Sequence, residues 1–172
     1  VFGYASLMWR PGFDYVEQRR ARLQGYHRAL CISSYEHRGT RARPGLVMGL
    51  DRGGSCVGLA FRVDGEKRAA VMDYLRAREL VTHVYREREL TIMLDDGSKT
   101  SAVTYVVDRA HEQYAGRLEV EDAVGRICGA VGKAGPNEDY VLNTADHICA
   151  LGIRDPWLDA VADRVRHRMS EI

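Results

Sequence analysis

The sequence predicts an α+β domain, and three patterns carry that prediction. Turn-bounded apolar runs with partial alternation fill the chain as far as Val107. One helical pattern, over residues 66–79, interrupts them. From Val120 onwards, apolar residues recur at three- and four-residue spacing. Strands grouped first and helices grouped last mark an α+β domain, not alternating β–α units. The 172 residues suit a single domain, 1–172, with a sizeable core. No internal repeat or low-complexity stretch divides it.

The opening run Val1-Phe2-Gly3-Tyr4-Ala5-Ser6-Leu7-Met8-Trp9 reads as a buried strand ending in a tight turn. Such a turn leaves consecutive N–H groups without strand partners, and these can bind an anionic or carbonyl oxygen. An ordinary strand-ending turn has the same local pattern. Pro11-Gly12 marks a loop, and the charge-rich Asp14–Arg22 reads as a short polar edge or linker. Leu23–Ser34 is a half-buried strand in which Gly25 permits a bulge. A polar loop runs from Ser34 to Pro44. Two strands are expected next, Gly45–Leu50 and Cys56–Val63, joined by a hairpin at Asp51-Arg52-Gly53-Gly54.

The helix over Glu66–Glu79 enters at Asp64-Gly65 and sets Ala70, Tyr74 and Ala77, with Val71 and Leu75, on adjoining faces. Strands His83–Met93 and Thr100–Val107 flank Asp95-Asp96-Gly97-Ser98, a strong hairpin signal. Val120, Val124, Ile127, Cys128 and Val131 mark a second helix, which Gly135-Pro136-Asn137 separates from a third. Val141, Leu142, Ala145, Ile148 and Leu151 form the buried side of that third helix. Asp155-Pro156 opens the last, with Leu158, Val161, Val165 and Met169 at helical spacing.

Composition narrows the function. With 45% apolar and 28% charged residues, the chain is an ordinary globular sequence. Its 25 basic and 24 acidic residues leave a net charge of +1, which gives no electrostatic case for nucleic acid or a membrane surface. The arginines Arg38, Arg41 and Arg43 near Pro44-Gly45 read as a solvated loop. No apolar run approaches the roughly 18 residues that span a bilayer. The four cysteines, Cys31, Cys56, Cys128 and Cys149, form no CxxC pair and read as buried reduced thiols in a cytoplasmic protein. Neither HExxH nor any His/Cys grouping at metal-ligand spacing occurs, so no metal site is expected. The chain opens on its first strand without Met, so residues upstream are expected. Nothing present looks like a targeting peptide.

Glu79 is the candidate catalytic carboxylate. It ends the predicted helix, before Val84-Tyr85-Arg86. A helix end packed on a sheet can hold a carboxylate partly desolvated and raise its pKa, and the C-terminal end of the helix dipole acts in the same sense. The plainer alternative is a surface glutamate paired with Arg76, Arg78 or Arg86. Glu87 and Glu89 look like solvated strand positions. Ser6 lacks a G-x-S-x-G setting and recognisable His and Asp partners, so a serine hydrolase is rejected. His37 and His83 read as loop or strand-end histidines. Tyr140 fits core or pocket wall equally well.

Taken together, Val1-Phe2-Gly3-Tyr4-Ala5-Ser6-Leu7 with Trp9, Glu36-His37-Arg38-Gly39, Pro44-Gly45, Gly58-Leu59-Ala60-Phe61-Arg62, Tyr74-Leu75 with Arg78-Glu79, Val84-Tyr85 and Gly135-Pro136-Asn137 with Tyr140 occur in an order that resembles the ChaC-like γ-glutamylcyclotransferases. The resemblance covers most of the chain. It implies a small closed or partly closed β-barrel, mostly antiparallel within a mixed sheet, with packed helices. It also implies cleavage of glutathione to 5-oxoproline and Cys-Gly, a lyase reaction. Glu79 would be the general acid/base, and residues Val1 to Leu7, centred on the Gly3–Leu7 turn, would cradle the γ-glutamyl group. Arg38, Tyr85 and Tyr140 would contact substrate carboxylates or Glu79. The polar Glu36–Pro44 loop is a candidate lid.

The implied chemistry asks little of the protein and requires no enzyme nucleophile, metal or cofactor. The substrate's own α-amine attacks its own γ-carbonyl, so the requirements are a folded substrate, a base and oxyanion donors. One departure stands out: the family's Tyr-Gly-Ser is Tyr4-Ala5-Ser6 here. If the turn needs positive φ or close approach of substrate, Ala5 costs activity or shifts the substrate, and Ala5→Gly should raise kcat/KM. The alternatives are therefore a cyclotransferase for other γ-glutamyl amino acids or amines, and a non-catalytic γ-glutamyl-binding protein.

Overall fold

Two strands of 18 residues each organise the fold: β2, Glu17–Ser34, and β3, Gly45–Arg62. The computed structural model describes residues Val1–Glu171. Both strands are longer than their sequence pattern predicts. The stretch expected as a polar linker begins β2, where Ala21 and Leu23 are buried and their charged neighbours Arg20 and Arg22 face outward. Alternation was present there, masked by the density of charge. The expected hairpin at Asp51–Gly54 is not a reversal. Gly53 and Gly54, at φ +101° and +68°, continue β3 as an exposed irregularity, with His27 Nδ1 2.9 Å from Gly53 O. Glycines that suit a hairpin turn also suit a bulge, and local sequence does not distinguish them.

The chain forms two compact units, the first comprising Val1–Arg28 and Leu50–His111. Its strands include β1, Phe2–Gly3; β4, Tyr85–Leu94; and β5, Lys99–Val107. The sheet runs in the order β1-β3-β2-β4-β5. The pairs β1–β3, β2–β4 and β4–β5 are antiparallel, with Phe2 opposite Ala60, Leu23 opposite Ile92 and Tyr85 opposite Val107. Asp95–Ser98 makes the expected hairpin, with Gly97 at φ +84° and the Ser98 N–H donating to Asp96 Oδ1.

The sheet does not close into a barrel. Its edges are β1 and β5, and β1, with two residues, is too short to make a ladder there. One side-chain bond links the two, from Thr104 Oγ1 to Phe2 O at 3.0 Å. Helix α1, Arg68–Glu79, follows a 3-10 turn at Gly65–Lys67 whose cap is Asp64, accepting from the Glu66 N–H. Its buried stripe is narrower than predicted. Val71 and Leu75 join Leu7 and Tyr105 in the core, whereas Ala70 and Ala77 are exposed and Tyr74 turns outward.

The second unit comprises Ala29–Gly49 and the residues from Glu112 onwards. It holds α2, Val120–Ile127; the short strands β6, Val131–Gly132, and β7, Gly135–Pro136; α3, Asn137–Ala150; and α4, Pro156–Ser170. Helix α2 ends earlier than predicted, because Cys128 is already extended and Val131 lies on the surface in β6. Val141, Ala145 and Ile148 of α3 and Leu158, Val161 and Val165 of α4 are buried as their spacing requires. Met169 is exposed. None of the four cysteines is in a disulfide. Cys31 and Cys56 are buried, but Cys128 is half-buried and Cys149 exposed, contrary to the expectation for all four.

Candidate active site

Strand β1 ends at Gly3 because the chain folds back on itself there. A Cβ at Gly3 would stand 3.1 Å from Leu7 Cβ. Ser6–Met8 form one 3-10 turn, in which the Met8 N–H donates to Ala5 O at 2.8 Å. The amides of Ser6 and Leu7 precede that first pair, where a helical start leaves N–H groups without intrahelical acceptors. Ala5 has φ −139°, so the turn does not require a positive φ at this position. That half of the argument for a glycine does not hold.

Glu79 is the last residue of α1. Its side chain is 17% exposed, and its Oε1 lies 3.3 Å from Arg78 Nε. Burial pushes its pKa above the ordinary glutamate value, and the adjacent Arg78 guanidinium opposes part of that rise. Of the surface pairings considered from sequence, only the one with Arg78 forms. Arg76 pairs with Glu87 at 2.9 Å and Arg86 with Asp108 at 2.5 Å.

Arg78 ties the carboxylate to the turn. Its NH2 group donates to Ser6 Oγ at 3.0 Å, and its NH1 group donates to Arg10 O at 2.7 Å and Pro11 O at 3.2 Å. Tyr74, one helical turn earlier, places its hydroxyl 3.2 Å from the same NH1 group. It also packs on Gly12, where a Cβ would meet the hydroxyl at 2.0 Å. The helix end thus holds both the candidate base and the loop behind the amides. Ser6, rejected as a nucleophile, is an acceptor for this arginine.

Around these groups, Tyr85 is half-buried against the Leu7, Val71, Leu75 and Tyr105 cluster. Tyr105 donates its hydroxyl proton to Glu87 at 3.2 Å. Burial first, then the negative charge of Glu87 and Glu79, raises the Tyr105 pKa and keeps the phenol protonated. Glu87 is therefore a paired group rather than a solvated strand position. Its pKa is lowered chiefly by Arg76.

Arg28 is a residue the sequence reading missed. It is 8% exposed, and its Nε donates to Tyr4 O at 2.5 Å while NH2 donates to Val57 O at 2.6 Å. The only signal was an arginine in the apolar half of a strand.

Arg38 and Tyr140 belong to the second unit, where they meet each other, with the guanidinium 5.5 Å from the ring centroid. The Tyr140 hydroxyl accepts from the Met48 N–H, and Arg38 NH1 donates to Pro136 O. Asn137, fully buried, accepts from the Leu46 N–H at 2.6 Å and donates to Leu46 O at 2.8 Å, acting as a strand partner for β3.

The Glu36–Pro44 loop, the candidate lid, is hydrogen-bonded to residues 133–134 and packed closely on Gly45. The Lys133 and Ala134 N–H groups donate to Glu36 O and His37 O, and a Cβ at Gly39 would meet Gly45 N at 2.2 Å.

A cleft of about 450 Å³ opens elsewhere on the first unit, lined by residues that include Val1, Phe61, Arg68, Met72, Glu89 and Val103. Neither Glu79 nor the Tyr4–Leu7 turn borders it, so the candidate site rests on the carboxylate and the amides. Among the described residues no group of three or more His, Cys, Asp or Glu is placed to hold a metal ion. No described helix is long and apolar enough to cross a membrane.

Comparisons with known proteins place the chain among named relatives. The model of the ChaC-like protein family matches residues 1–168. The glutathione-specific γ-glutamylcyclotransferase of Escherichia coli K12 is 30% identical over 171 residues, covering 99% of this chain and 74% of its own. The human glutathione-specific γ-glutamylcyclotransferase 1 is 33% identical over 171 residues, covering 96% and 77%. The crystal structure of a yeast γ-glutamylcyclotransferase specific to glutathione shares the fold, with a TM-score of 0.85 at 20% identity over 96% of this chain and 94% of that one.

Proposed function

The chain belongs to the ChaC-like protein family, and we propose that it is a γ-glutamylcyclotransferase that converts glutathione to 5-oxoproline and Cys-Gly. The observation that carries the mechanism is the secluded Glu79, joined through Arg78 to the turn at Ser6. A carboxylate with a raised pKa accepts and returns a proton nearer neutrality than an exposed glutamate does.

In this reading Glu79 takes a proton from the substrate α-ammonium. The freed amine attacks the γ-carbonyl carbon, and N–H groups of the Ala5–Leu7 turn hold the oxyanion. Glu79 then gives its proton to the departing cysteinyl nitrogen as the C–N bond breaks. One ring amide forms and one amide is lost; the attacking nitrogen sheds a second proton, the released amine takes one up to become an ammonium, and protons balance without a further reactant. The Gly3–Leu7 turn shapes the γ-glutamyl subsite, with Tyr85 supporting its wall. Reduced glutathione is a cytosolic thiol pool, which fits a cytoplasmic location for an enzyme that consumes it.

Purified protein is incubated with glutathione beside Glu79→Gln, and 5-oxoproline and Cys-Gly are followed by mass spectrometry. Both products from the parent and a loss of at least about 100-fold in the variant are expected. Equal turnover by a folded Glu79→Gln protein removes Glu79 from the mechanism. Ala5 favours a second reading, in which another γ-glutamyl compound is preferred. γ-Glutamyl-alanine and a γ-glutamylamine in the same assay test it, and binding without turnover of all three would identify a binding protein.

A further inference from the structure

We propose that Arg28 is a positioning residue that fixes the Tyr4–Ala5 peptide plane and thereby aims the Ala5 N–H at the substrate's γ-carbonyl oxygen. This inference rests on the cyclotransferase reading above. Arg28 stands at a buried position of β2, where a cation is costly unless its N–H groups are satisfied. Two of them are spent on main-chain carbonyls, those of Tyr4 and Val57. The planar guanidinium presents its donors in a fixed fork, so holding Val57 O on β3 fixes where the Tyr4 carbonyl must lie.

The consequence follows from peptide geometry. Among the described residues no peptide bond is cis, and in a planar trans unit C=O and N–H point in opposite directions. With its carbonyl turned towards Arg28, the Tyr4–Ala5 peptide must direct the Ala5 N–H to the opposite side. The preceding peptide is fixed as well, because Gly3 O packs so closely on Gly58 that a Cβ there would lie 2.2 Å from it. Both peptides that flank Tyr4 are therefore pinned by the sheet. A carbonyl that accepts from a cation also polarises its own amide, which strengthens that N–H as a donor. An oxyanion donor works only when held in place before the charge develops. Arg28 supplies that constraint without touching the substrate.

The test uses the intact protein, Arg28→Lys and Arg28→Met, with glutathione turnover and amide NMR during titration with 5-oxoproline. The ring carbonyl of 5-oxoproline is the former γ-carbonyl, so it reports on the same donors. In the parent protein the Ala5 amide signal should move with added 5-oxoproline. In Arg28→Lys, which keeps the charge but not the fork, kcat should fall roughly 10–100-fold with KM within about twofold. The Ala5 response should disappear while that of Leu7 persists. Arg28→Met should show the same loss or a larger one.

The inference is overturned by Arg28→Lys turning over glutathione at the parent rate, or by a loss of kcat no larger than its loss of folded protein. An Ala5 amide that ignores 5-oxoproline in the parent protein also overturns it. That titration decides the matter by itself if the variants do not fold. Absence of glutathione turnover by the parent protein would instead sink the cyclotransferase reading on which the inference stands.

Discussion

At the scale of single residues, the chemistry turns on the cost of hiding one carboxylate. Glu79 binds its proton more tightly folded than unfolded, because burial outweighs the help of Arg78. The folded state therefore holds more protons than the unfolded one above the ordinary glutamate value of 4.5. Stability must then fall as pH rises through the folded pKa. Glu79→Gln does not titrate, so its melting temperature should match the parent near pH 4 and exceed it at pH 8. A constant difference across that range would mean that Glu79 is not buried at a cost. Ala5 poses a separate question. Its φ of −139° removes the positive-φ argument for a glycine and leaves the volume of one methyl group. Ala5→Gly should accordingly lower KM for glutathione with kcat unchanged, read from steady-state kinetics. An altered kcat would place the effect in the turn itself. Glu79 and the Gly3–Leu7 turn were legible in the sequence because a helix end and a strand end are local signals. Arg28 was not, because its meaning lies in carbonyls that come from Tyr4 and Val57.

At the scale of elements, the C-terminal end of α1 does more than carry Glu79. Arg78 and Tyr74 face the same loop, and the arginine holds Arg10 O, Pro11 O and Ser6 Oγ together. Arg78→Ala should therefore free residues 5–12, seen as faster amide hydrogen exchange there. It should lower kcat/KM by roughly 10–100-fold, as small misplacements of catalytic groups do. The same change removes the cation that moderates Glu79, so the Glu79 pKa rises further and the acid limb of the kcat/KM profile moves to higher pH. Unchanged exchange with a shifted limb would separate the electrostatic role from the clamp. The helices and the Asp95–Ser98 hairpin were readable because periodicity and turn chemistry are local. The continuity of β2 and β3 was not. Charge hid the first, and Gly53-Gly54 has one composition for two geometries. The open sheet was equally out of reach, since closure depends on the length of β1 and on what lies beside β5.

At the scale of the whole molecule, the Gly135-Pro136-Asn137 stretch acts on stability rather than on chemistry. Helix α3 begins with Asn137, whose amide completes the hydrogen bonding of Leu46 in β3 from 91 residues away. Close packing around it leaves no room for adjustment, because a Cβ on Gly45 would meet Asn137 Oδ1 at 2.7 Å and Arg38 O at 2.1 Å. The Asn137 side chain is thus a buried link between the two segments of the second unit, Ala29–Gly49 and the residues from Glu112 onwards, beside the Tyr140–Met48 and Arg38–Pro136 bonds. Asn137→Ala would leave a buried N–H and a buried C=O unpaired, each costing about 1–3 kcal/mol. The variant should lose roughly 2–5 kcal/mol in denaturant unfolding, a large share of a typical domain's stability. Because both segments depend on the same junction, hydrogen exchange should accelerate across 29–49 and 112–171 together. Acceleration confined to residues beside 46 and 137 would show a local bond rather than a junction. Asn137→Asp keeps an acceptor for the Leu46 N–H but loses the donor and buries a charge, so it should be no more stable than alanine.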